Sequence, residues 1–228
     1  MRKFSSRAYC VTASLPPALL IMGPTASGKS ALALALAERL GGEIINADSM
    51  QIYRDLRVLT ARPTSEEEAR APHLLYGFVD AAVRYSVGAW LGEALDALAA
   101  VRARGRTPIV VGGTGLYFKA LTDGLASIPP IPPDLRARLL AETADVDAEA
   151  LYARLVAVDA ETATGIRPSD RARILRGLEV FEATGRPLAE WRRGNASPPL
   201  LAAARTLRIV LDPPRPWLHH RIDRKSVV

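Results

Sequence analysis

The chain has 228 residues, of which 49% are hydrophobic and 24% are charged, and its formal net charge is +6. This length can build one sizeable core with a smaller appended subdomain, and the composition is typical of a globular protein. No apolar run is long enough for a membrane span, because even residues 89–101 carry Glu93 and Asp96. Cys10 is the only cysteine, which excludes an internal disulfide and favours a reducing cytoplasm. The positive charge suits nucleic acid, but a phosphate-binding enzyme would look similar.

Residues 1–17 form a basic segment without any acidic residue, ahead of the first apolar run. We interpret this segment as a disordered N-terminal extension or the product of a wrongly assigned start. A transit peptide is the alternative interpretation of the same composition.

A phosphate-binding loop is the most informative motif of the chain. Residues 18–22 have the length and apolarity of a buried strand, and residues 31–40 are strong helix formers. Between them, the pattern G-x-x-x-x-G-K-[S/T] is matched by Gly23, Pro24, Thr25, Ala26, Ser27, Gly28, Lys29 and Ser30. Inward-facing amides, a helix amino terminus and the lysine would hold a diphosphate or triphosphate, with Mg²⁺ at the serine. A chance match is the alternative, and the motif indicates a polyphosphate rather than a reaction.

The following segments alternate between strand and helix patterns. Strands are predicted at 43–47, 107–111 and 206–211, where β-branched residues are frequent, and a helix is predicted at 86–104. Such alternation implies a parallel sheet with helices packed against it. We therefore predict an α/β fold, with a P-loop NTPase-like parallel sheet flanked by helices and an inserted helical subdomain.

The predicted insertion differs from the rest in composition. A proline-rich hinge at 128–133 precedes helical, charge-rich sequence to about residue 193, and a loop at 194–199 closes it. The predicted division of the chain is an extension at 1–17, a P-loop core at 18–123, the helical insertion at 124–204 and a return to the core at 205–228.

Ligands of open parallel sheets bind beyond the carboxyl ends of the strands. The second predicted strand leads into Asp48 and the third into residues 112–117, so both should face the phosphate loop across one cleft. Asp48 would there serve as a magnesium partner or a general base, with a helix cap as the alternative. Thr114 could donate a hydrogen bond. The glycine pair at 112–113 indicates a tight turn or a close approach of the backbone to a ligand.

Five motifs occur in order along the chain. They are the phosphate loop, Asp48–Tyr53, Thr60–Pro63, Gly112–Tyr117 and Arg173–Val180. Together they closely resemble the bacterial tRNA dimethylallyltransferase family over nearly the whole chain. That family transfers a dimethylallyl group from dimethylallyl diphosphate to the exocyclic amine of the adenosine just 3′ of the tRNA anticodon. The resemblance therefore implies a cytoplasmic enzyme whose substrates are the tRNA anticodon arm and this diphosphate.

The resemblance also implies roles for residues of the cleft. The loop would cradle the diphosphate leaving group, whose charge Lys29 and a Mg²⁺ ion near Ser30 would stabilise. Thr114 would hydrogen-bond near the bridging oxygen, and Asp48 would accept the proton of the attacking amine. Gln51 has the amide donor and acceptor needed to read an adenine edge after the base is extracted, with an ordinary exposed polar residue as the alternative.

A basic cluster in the insertion gives a second indication of RNA. Within ten residues, one acid accompanies four basic residues, namely Arg167, Arg171, Arg173 and Arg176. Gly177 removes bulk beside two of these guanidinium groups, so a phosphate or flipped base could approach there. A solvated helix face is the alternative.

The resemblance implies tRNA contacts in both parts of the chain. The residues concerned are Asp48, Ser49, Met50, Gln51 and Thr114 in the cleft and Arg136, Ala172, Arg173, Ile174, Leu175 and Arg176 in the insertion. Ala172 stands where the family often has a polar residue, so one hydrogen bond to RNA is expected to be missing. The family also continues for several helices beyond residues 221–224, so we expect a C-terminally shortened protein. We also expect this protein to be a monomer.

Three rival functions remain open from the sequence. Adenylate dimethylallyltransferase shares the chemistry but acts on a free nucleotide, and the arginine cluster favours tRNA over it. A small-molecule P-loop kinase fits the loop but not the two motifs at 48–51 and 112–117. An inactive, truncated RNA-binding remnant would account for the early stop.

Overall fold

The computed structural model describes residues 18–194, 199, 201 and 206–225. The predicted extension at 1–17 and residues 195–198 of the predicted closing loop lie outside these ranges. The chain divides into two compact units. The helical unit comprises Asp123–Leu200, and the sheet unit comprises the chain on either side of it.

The sheet unit is built on five parallel strands in the order β3-β2-β4-β1-β5. The strands are β1 (Ala18–Met22), β2 (Gly42–Asn46), β3 (His73–Leu74), β4 (Thr107–Gly112) and β5 (Thr206–Val210). The four predicted strands are confirmed within one residue at each end. The fifth, β3, has only two residues at a sheet edge, which is too short for an alternating pattern to predict.

Helices cover both faces of this sheet. They are α1 (Lys29–Leu40), a 3₁₀ turn (Arg54–Leu56), α2 (Ser65–Arg70), α3 (Val87–Ala103) and α4 (Gly115–Asp123). Side chains of Leu19, Ile44 and Ile109 pack with α1 in one apolar core. Alternate strand residues such as Val110 are also fully buried and point to the opposite face, where α3 contacts β2 and β4.

Local signals explain where these helices begin and end. The Ser86 hydroxyl accepts a hydrogen bond from the amide of Ala89 and so caps α3. Thr64 and Glu67 form a reciprocal capping box at the start of α2. Gly41, with φ at 60°, ends α1 in the left-handed conformation that glycine adopts without strain.

The described residues of the helical unit form five helices. They are α5 (Pro133–Glu142), α6 (Ala148–Val158), α7 (Ala160–Thr164), α8 (Arg171–Thr184) and α9 (Leu188–Gly194). Leu139, Leu155 and Ile174 are fully buried together where α5, α6 and α8 meet. After β5, the sheet unit contains α10 (Arg215–Lys225). Within the described ranges, none of the helices combines the length and apolarity needed to cross a membrane.

The end of β4 lies unusually close to the residue that follows β2. A β-carbon built on Gly112 would stand 2.1 Å from both the carbonyl carbon and the carbonyl oxygen of Ala47. The amide of Ala47 donates to the carbonyl of Val111 at 2.7 Å, which holds the two strand ends together. Glycine is therefore required here by backbone packing, and this contact sets the spacing of the two loops that follow.

We expect Gly112→Ala to lower the free energy of unfolding by about 2 kcal/mol or more, because backbone atoms would have to move apart. Gly115→Ala is the matched control, since a β-carbon at Gly115 meets nothing within 4 Å. That control should change stability by less than about 0.5 kcal/mol. Urea denaturation measures both values, and equal stability of the two variants would contradict the proposed packing role of Gly112.

Candidate active site

Three neighbouring strands deliver their following loops to one edge of the sheet. Because β2, β4 and β1 are adjacent and parallel, the residues after each strand emerge at the same carboxyl edge. These are the phosphate loop after β1, the Asp48 turn after β2 and the Gly113–Thr114 turn after β4. The cleft predicted from the strand pattern is thus assembled within the sheet unit.

The phosphate loop has the backbone conformation of an anion-binding nest. Ala26 and Gly28 have positive φ angles of 66° and 92°, and α1 begins at the next residue. This alternation turns successive amides towards a common point at the positive end of the helix. The Lys29 side chain is buried and its ammonium group donates to the carbonyl of Pro24 at 3.3 Å, so the lysine folds back over the loop.

Two serines of the loop differ in their surroundings. The Ser27 hydroxyl is shielded from solvent and has no hydrogen-bond partner among the described residues. Ser30 lies on the exposed first turn of α1. A β-carbon on Gly23 would stand 2.7 Å from the Ser27 oxygen, so glycine at the loop's first position leaves room for that side chain.

A buried asparagine holds the Asp48 turn. The Asn46 side chain is fully buried, and its amide nitrogen donates to the carbonyls of Asp48 and Leu75, at 3.0 Å each. Its amide oxygen accepts from the backbone amide of Asp48 at 3.0 Å. The Asp48 carboxylate in turn accepts from the amide of Met50 at 3.0 Å. Because the backbone amide and the backbone carbonyl of Asp48 are both hydrogen-bonded to Asn46, the Asp48 carboxylate has a defined position.

Thr114 joins the turn after β4 to the turn after β2. Its hydroxyl oxygen accepts from the amide of Ser49 at 2.9 Å and lies 3.2 Å from the Ser49 hydroxyl oxygen. Its backbone amide donates to the carbonyl of Ala47 at 3.2 Å. The Thr114 hydroxyl donates to the Ser49 oxygen in this structure, and rotation about its C–O bond would redirect that proton to a bound ligand.

Gly113 lies between the Asp48 carboxylate and the phosphate loop. A β-carbon built on Gly113 would be 3.5 Å from the Asp48 Oδ2 atom and 3.5 Å from the carbonyl oxygen of Gly23. The carboxylate and the first residue of the loop therefore border the same small space. This placement agrees with the prediction that one cleft contains both groups.

Aromatic side chains wall this region. Trp90 is fully buried, stacks on Tyr117 at 4.0 Å between ring centroids, and donates from its indole nitrogen to the carbonyl of Asn46. Burial, together with the nearby Tyr85, Tyr53 and Asp48, raises the pKa of Tyr117 to about 12. Tyr117 therefore remains a neutral phenol, and Trp90 anchors the packing of this region.

The predicted adenine-reading residue already uses its amide nitrogen. Gln51 donates from Nε2 to the carbonyl oxygens of Thr60 and Ala61, at 2.9 and 3.2 Å. These bonds leave the amide oxygen to act as an acceptor, which suits an exocyclic amine. The role in base reading stays a prediction.

A cavity of about 230 Å³ lies beside Ser30, on the α1 side of the sheet. Its polar lining includes Arg62, Glu67, His73 and Tyr76, and its apolar lining comes from α1, β2 and β4. Burial is the main cause that raises the pKa of Tyr76 above its ordinary value. The Arg62 guanidinium packs against Gly77, where a β-carbon would overlap it.

The Ser30 region fits a magnesium ion that is bound chiefly by its substrate. Among the described residues, no group of three His, Cys, Asp or Glu side chains could hold a metal ion. Mg²⁺ commonly takes one or two protein oxygens and completes its shell with phosphate oxygens and water. The exposed Ser30 hydroxyl at the helix amino terminus can supply one such oxygen.

Most arginines that the sequence suggested for RNA contact have partners within the helical unit. Arg136 forms a bidentate ion pair with the buried Glu179, at 2.6 and 2.8 Å, and Arg176 approaches the same carboxylate at 3.5 Å. Arg173 pairs with Asp170 yet stays largely exposed. Arg171 donates to the carbonyls of Thr143 and Val146. The tRNA contacts predicted for Arg136, Arg173 and Arg176 remain predictions.

Two expectations for α8 need correction. Gly177 is buried, and a β-carbon there would stand 2.6 Å from a methyl carbon of Leu155, so the glycine allows α6 and α8 to pack closely rather than admitting a phosphate. Ile174 and Leu175 are buried in the core of the helical unit, so their side chains form no RNA surface. Ala172 is exposed, as an RNA-facing position requires.

Asn46, Arg62 and Tyr117 are the site residues to which sequence reasoning assigned no role. Asn46 sits at the end of a strand, where a polar side chain in an otherwise apolar run was the available signal. Arg62 and Tyr117 belong to motifs that the resemblance already included. Neither the hydrogen bonds of Arg62 to the carbonyls of Tyr53 and Arg54 nor the stacking of Tyr117 on Trp90 follows from a sequence pattern.

Comparison with known proteins identifies the family. A family model described as IPP transferase matches residues 51–226, and one described as isopentenyl transferase matches residues 16–74. The chain belongs to the IPP transferase family. The resemblance predicted from the five motifs is thereby confirmed.

Curated relatives named tRNA dimethylallyltransferase match most of the chain. The protein of Azorhizobium caulinodans is 58% identical over 210 residues, covering 92% of this chain and 67% of its own length. That of Methylocella silvestris is 60% identical over 210 residues, covering 91% and 68%. A protein of Rhodopseudomonas palustris is 56% identical over 210 residues, covering 92% of this chain and 65% of its own length. The chain thus spans about two thirds of the length of these relatives.

Solved structures agree with the fold. A eukaryotic dimethylallyltransferase acting on tRNA matches with a TM-score of 0.74 and 29% identity, covering 92% of this chain and 52% of that protein. The tRNA isopentenylpyrophosphate transferase of Bacillus halodurans matches with a TM-score of 0.56 and 34% identity, covering 92% and 64%. The predicted P-loop NTPase-like α/β fold is confirmed.

Proposed function

We propose that this chain transfers a dimethylallyl group from dimethylallyl diphosphate to the N6 amine of the adenosine 3′-adjacent to the tRNA anticodon. The products are N6-dimethylallyladenosine and diphosphate. The observation that carries the proposal is the shared space beside Gly113, which the Asp48 carboxylate and the carbonyl of Gly23 in the phosphate loop both border. The names of the curated relatives support the choice of donor and acceptor.

On the donor side, the reaction breaks the bond between the allylic carbon and the bridging oxygen of the diphosphate. Negative charge grows on the departing diphosphate, and the loop amides, the helix terminus and Lys29 stabilise it. Thr114 donates its hydroxyl proton towards the bridging oxygen, and the amide of Ser49, which donates to the same hydroxyl oxygen at 2.9 Å, holds that side chain in place. Mg²⁺ at Ser30 would add further positive charge beside the diphosphate oxygens.

On the acceptor side, the adenosine amine attacks the allylic carbon and loses a proton. Asp48 accepts that proton, and the hydrogen bonds of Asn46 keep its carboxylate facing the loop. Gln51 accepts from the amine through its amide oxygen and so holds the base. A tRNA substrate and the single cysteine both suit a cytoplasmic enzyme.

An assay with labelled dimethylallyl diphosphate, Mg²⁺ and unmodified tRNA tests this function. We expect transfer by the wild type, and a loss of about 100-fold in rate for Asp48→Asn because the base is removed. Asp96→Asn, the same change at an exposed position on α3, is the control and should keep the wild-type rate.

The competing outcomes separate the rival functions. Transfer to adenosine monophosphate in preference to tRNA would favour adenylate dimethylallyltransferase, and phosphoryl transfer from ATP would favour a kinase. tRNA binding without transfer would favour an inactive remnant. Unchanged transfer by Asp48→Asn would remove Asp48 from the role of base.

Two exposed arginines, one in the turn before α8 and one in its first turn, provide a separate test of RNA binding. Arg167 and Arg173 are exposed, so we expect the double change to alanine to weaken binding of an anticodon stem-loop and to lower the salt slope by about 1 to 2. Arg39→Ala with Arg102→Ala removes the same charge from the last turns of α1 and α3, which point away from the cleft edge. Filter binding at several salt concentrations measures the slopes. Equal slopes for the two double variants would refute the assignment of this helix end to RNA.

A further inference from the structure

Val58 and Leu59, which we call the apolar tip, are 93% and 81% exposed. They are the most exposed of the large hydrophobic side chains in the part of the chain that the structure describes. Single exposed aliphatic residues are common, but two consecutive ones at the end of a loop add no packing to the fold. A surface partner of apolar character would explain them.

The apolar tip is held rigidly rather than left to collapse onto the protein. Three backbone hydrogen bonds of 3.1 Å close the loop beneath it, from the amides of Thr60, Ala61 and Arg62 to the carbonyls of Leu56, Val58 and Arg57. The Thr60 hydroxyl also donates to the carbonyl of Leu56 at 2.6 Å. This bracing keeps the two side chains directed into solvent.

The same loop is bound to the turn that carries the proposed catalytic base. The side-chain amide of Gln51 donates to the carbonyls of Thr60 and Ala61, one and two residues after the tip. Gln51 is itself three residues from Asp48, and the backbone amide of Gln51 donates to the backbone carbonyl of that aspartate at 3.2 Å. The apolar tip therefore has a fixed position next to the part of the cleft that receives the adenosine.

Arginine side chains flank the segment from which the apolar tip projects. Arg54 and Arg57 are exposed on the same short segment. The exposed Asp55 between them accepts from the amide of Ala81 at 3.2 Å, so two cations and one anion leave the segment with net positive charge. Arg57 donates to the carbonyl of Pro63 at 2.9 Å and lies 3.8 Å from the Glu68 carboxylate, so it is oriented but not neutralised by close pairing. This arrangement is complementary to nucleic acid. The apolar tip can contact stacked nucleobases, while the neighbouring arginines contact the phosphate backbone.

We infer that Val58 and Leu59 form a wedge that enters the anticodon loop and replaces the extracted adenosine in its stack. This inference rests on the proposed function. Extraction of a base leaves its neighbours without a stacking partner, and apolar side chains inserted between base steps are a known means of keeping a stack open. The wedge and Gln51 would then act together, one filling the gap and the other holding the base that left it.

The test uses the full chain with an anticodon stem-loop carrying 2-aminopurine at the target position. Its fluorescence rises when the base leaves the stack, so it reports extraction separately from chemistry. We expect the Val58→Ser with Leu59→Ser variant to reduce extraction and single-turnover prenyl transfer to the natural stem-loop by about tenfold. Val83→Ser with Leu95→Ser makes the same changes at other exposed positions and should behave as the wild type.

A second stem-loop separates a wedge from a general structural defect. With an abasic site next to the target, extraction breaks fewer stacking contacts. The tip variant should then extract the target base only about twofold less well than the wild type. A deficit that is unchanged by the abasic site, or no deficit at all, would overturn the inference. So would sedimentation showing that the tip holds together a dimer that the variant cannot form. Absence of transfer by the wild type would instead contradict the proposed function.

Discussion

The contact between the ends of β2 and β4 is the constraint on which the site depends. Gly112 lets the backbone of β4 touch Ala47, and the Thr114 hydroxyl then reaches across to Ser49. A side chain at position 112 would separate the two turns and break this hydrogen bond. In the proposed reaction, this contact would fix the Asp48 carboxylate and the Thr114 hydroxyl relative to each other, and so would couple proton acceptance to leaving-group stabilisation.

In the helical unit, a different interaction dominates. Glu179 is buried on α8 and is neutralised by Arg136 from α5 and by Arg176. Breaking a buried ion pair commonly destabilises a protein by about 3 to 5 kcal/mol, because the remaining charge is left without compensation. Arg136 and Arg176 therefore stabilise the helical unit whatever else they contact, and loss of RNA binding after their removal would not by itself identify an RNA contact. This is why Arg167 and Arg173 give a cleaner probe of the proposed RNA contact.

Motifs with local causes were predictable from the sequence, and long-range partners were not. The phosphate loop and four strands follow from glycine spacing and β-branched runs, and the meeting of Asp48 with the loop follows from strand order. The Gly112–Gly113 pair predicted a turn or a ligand approach, but the structure shows backbone packed on backbone at its first residue. Gly177 was misassigned for a related reason, because a missing side chain on a helix fits a ligand and a neighbouring helix equally well until that neighbour is known. Asn46 could not be assigned because Leu75, one of its partners, is 29 residues away.

A double-mutant cycle on Ser49 and Thr114, measured by the rate of prenyl transfer to tRNA, tests most directly whether the two strand ends act as one unit. Ser49→Ala removes the hydroxyl that accepts from Thr114, and Thr114→Val removes the hydroxyl that this contact orients. If the two strand ends act together, Ser49→Ala lowers the rate by about tenfold and Thr114→Val by about 100-fold. The double variant should then have the same rate as Thr114→Val alone. Independent effects that multiply to about 1000-fold in the double variant would contradict the coupling of these two residues.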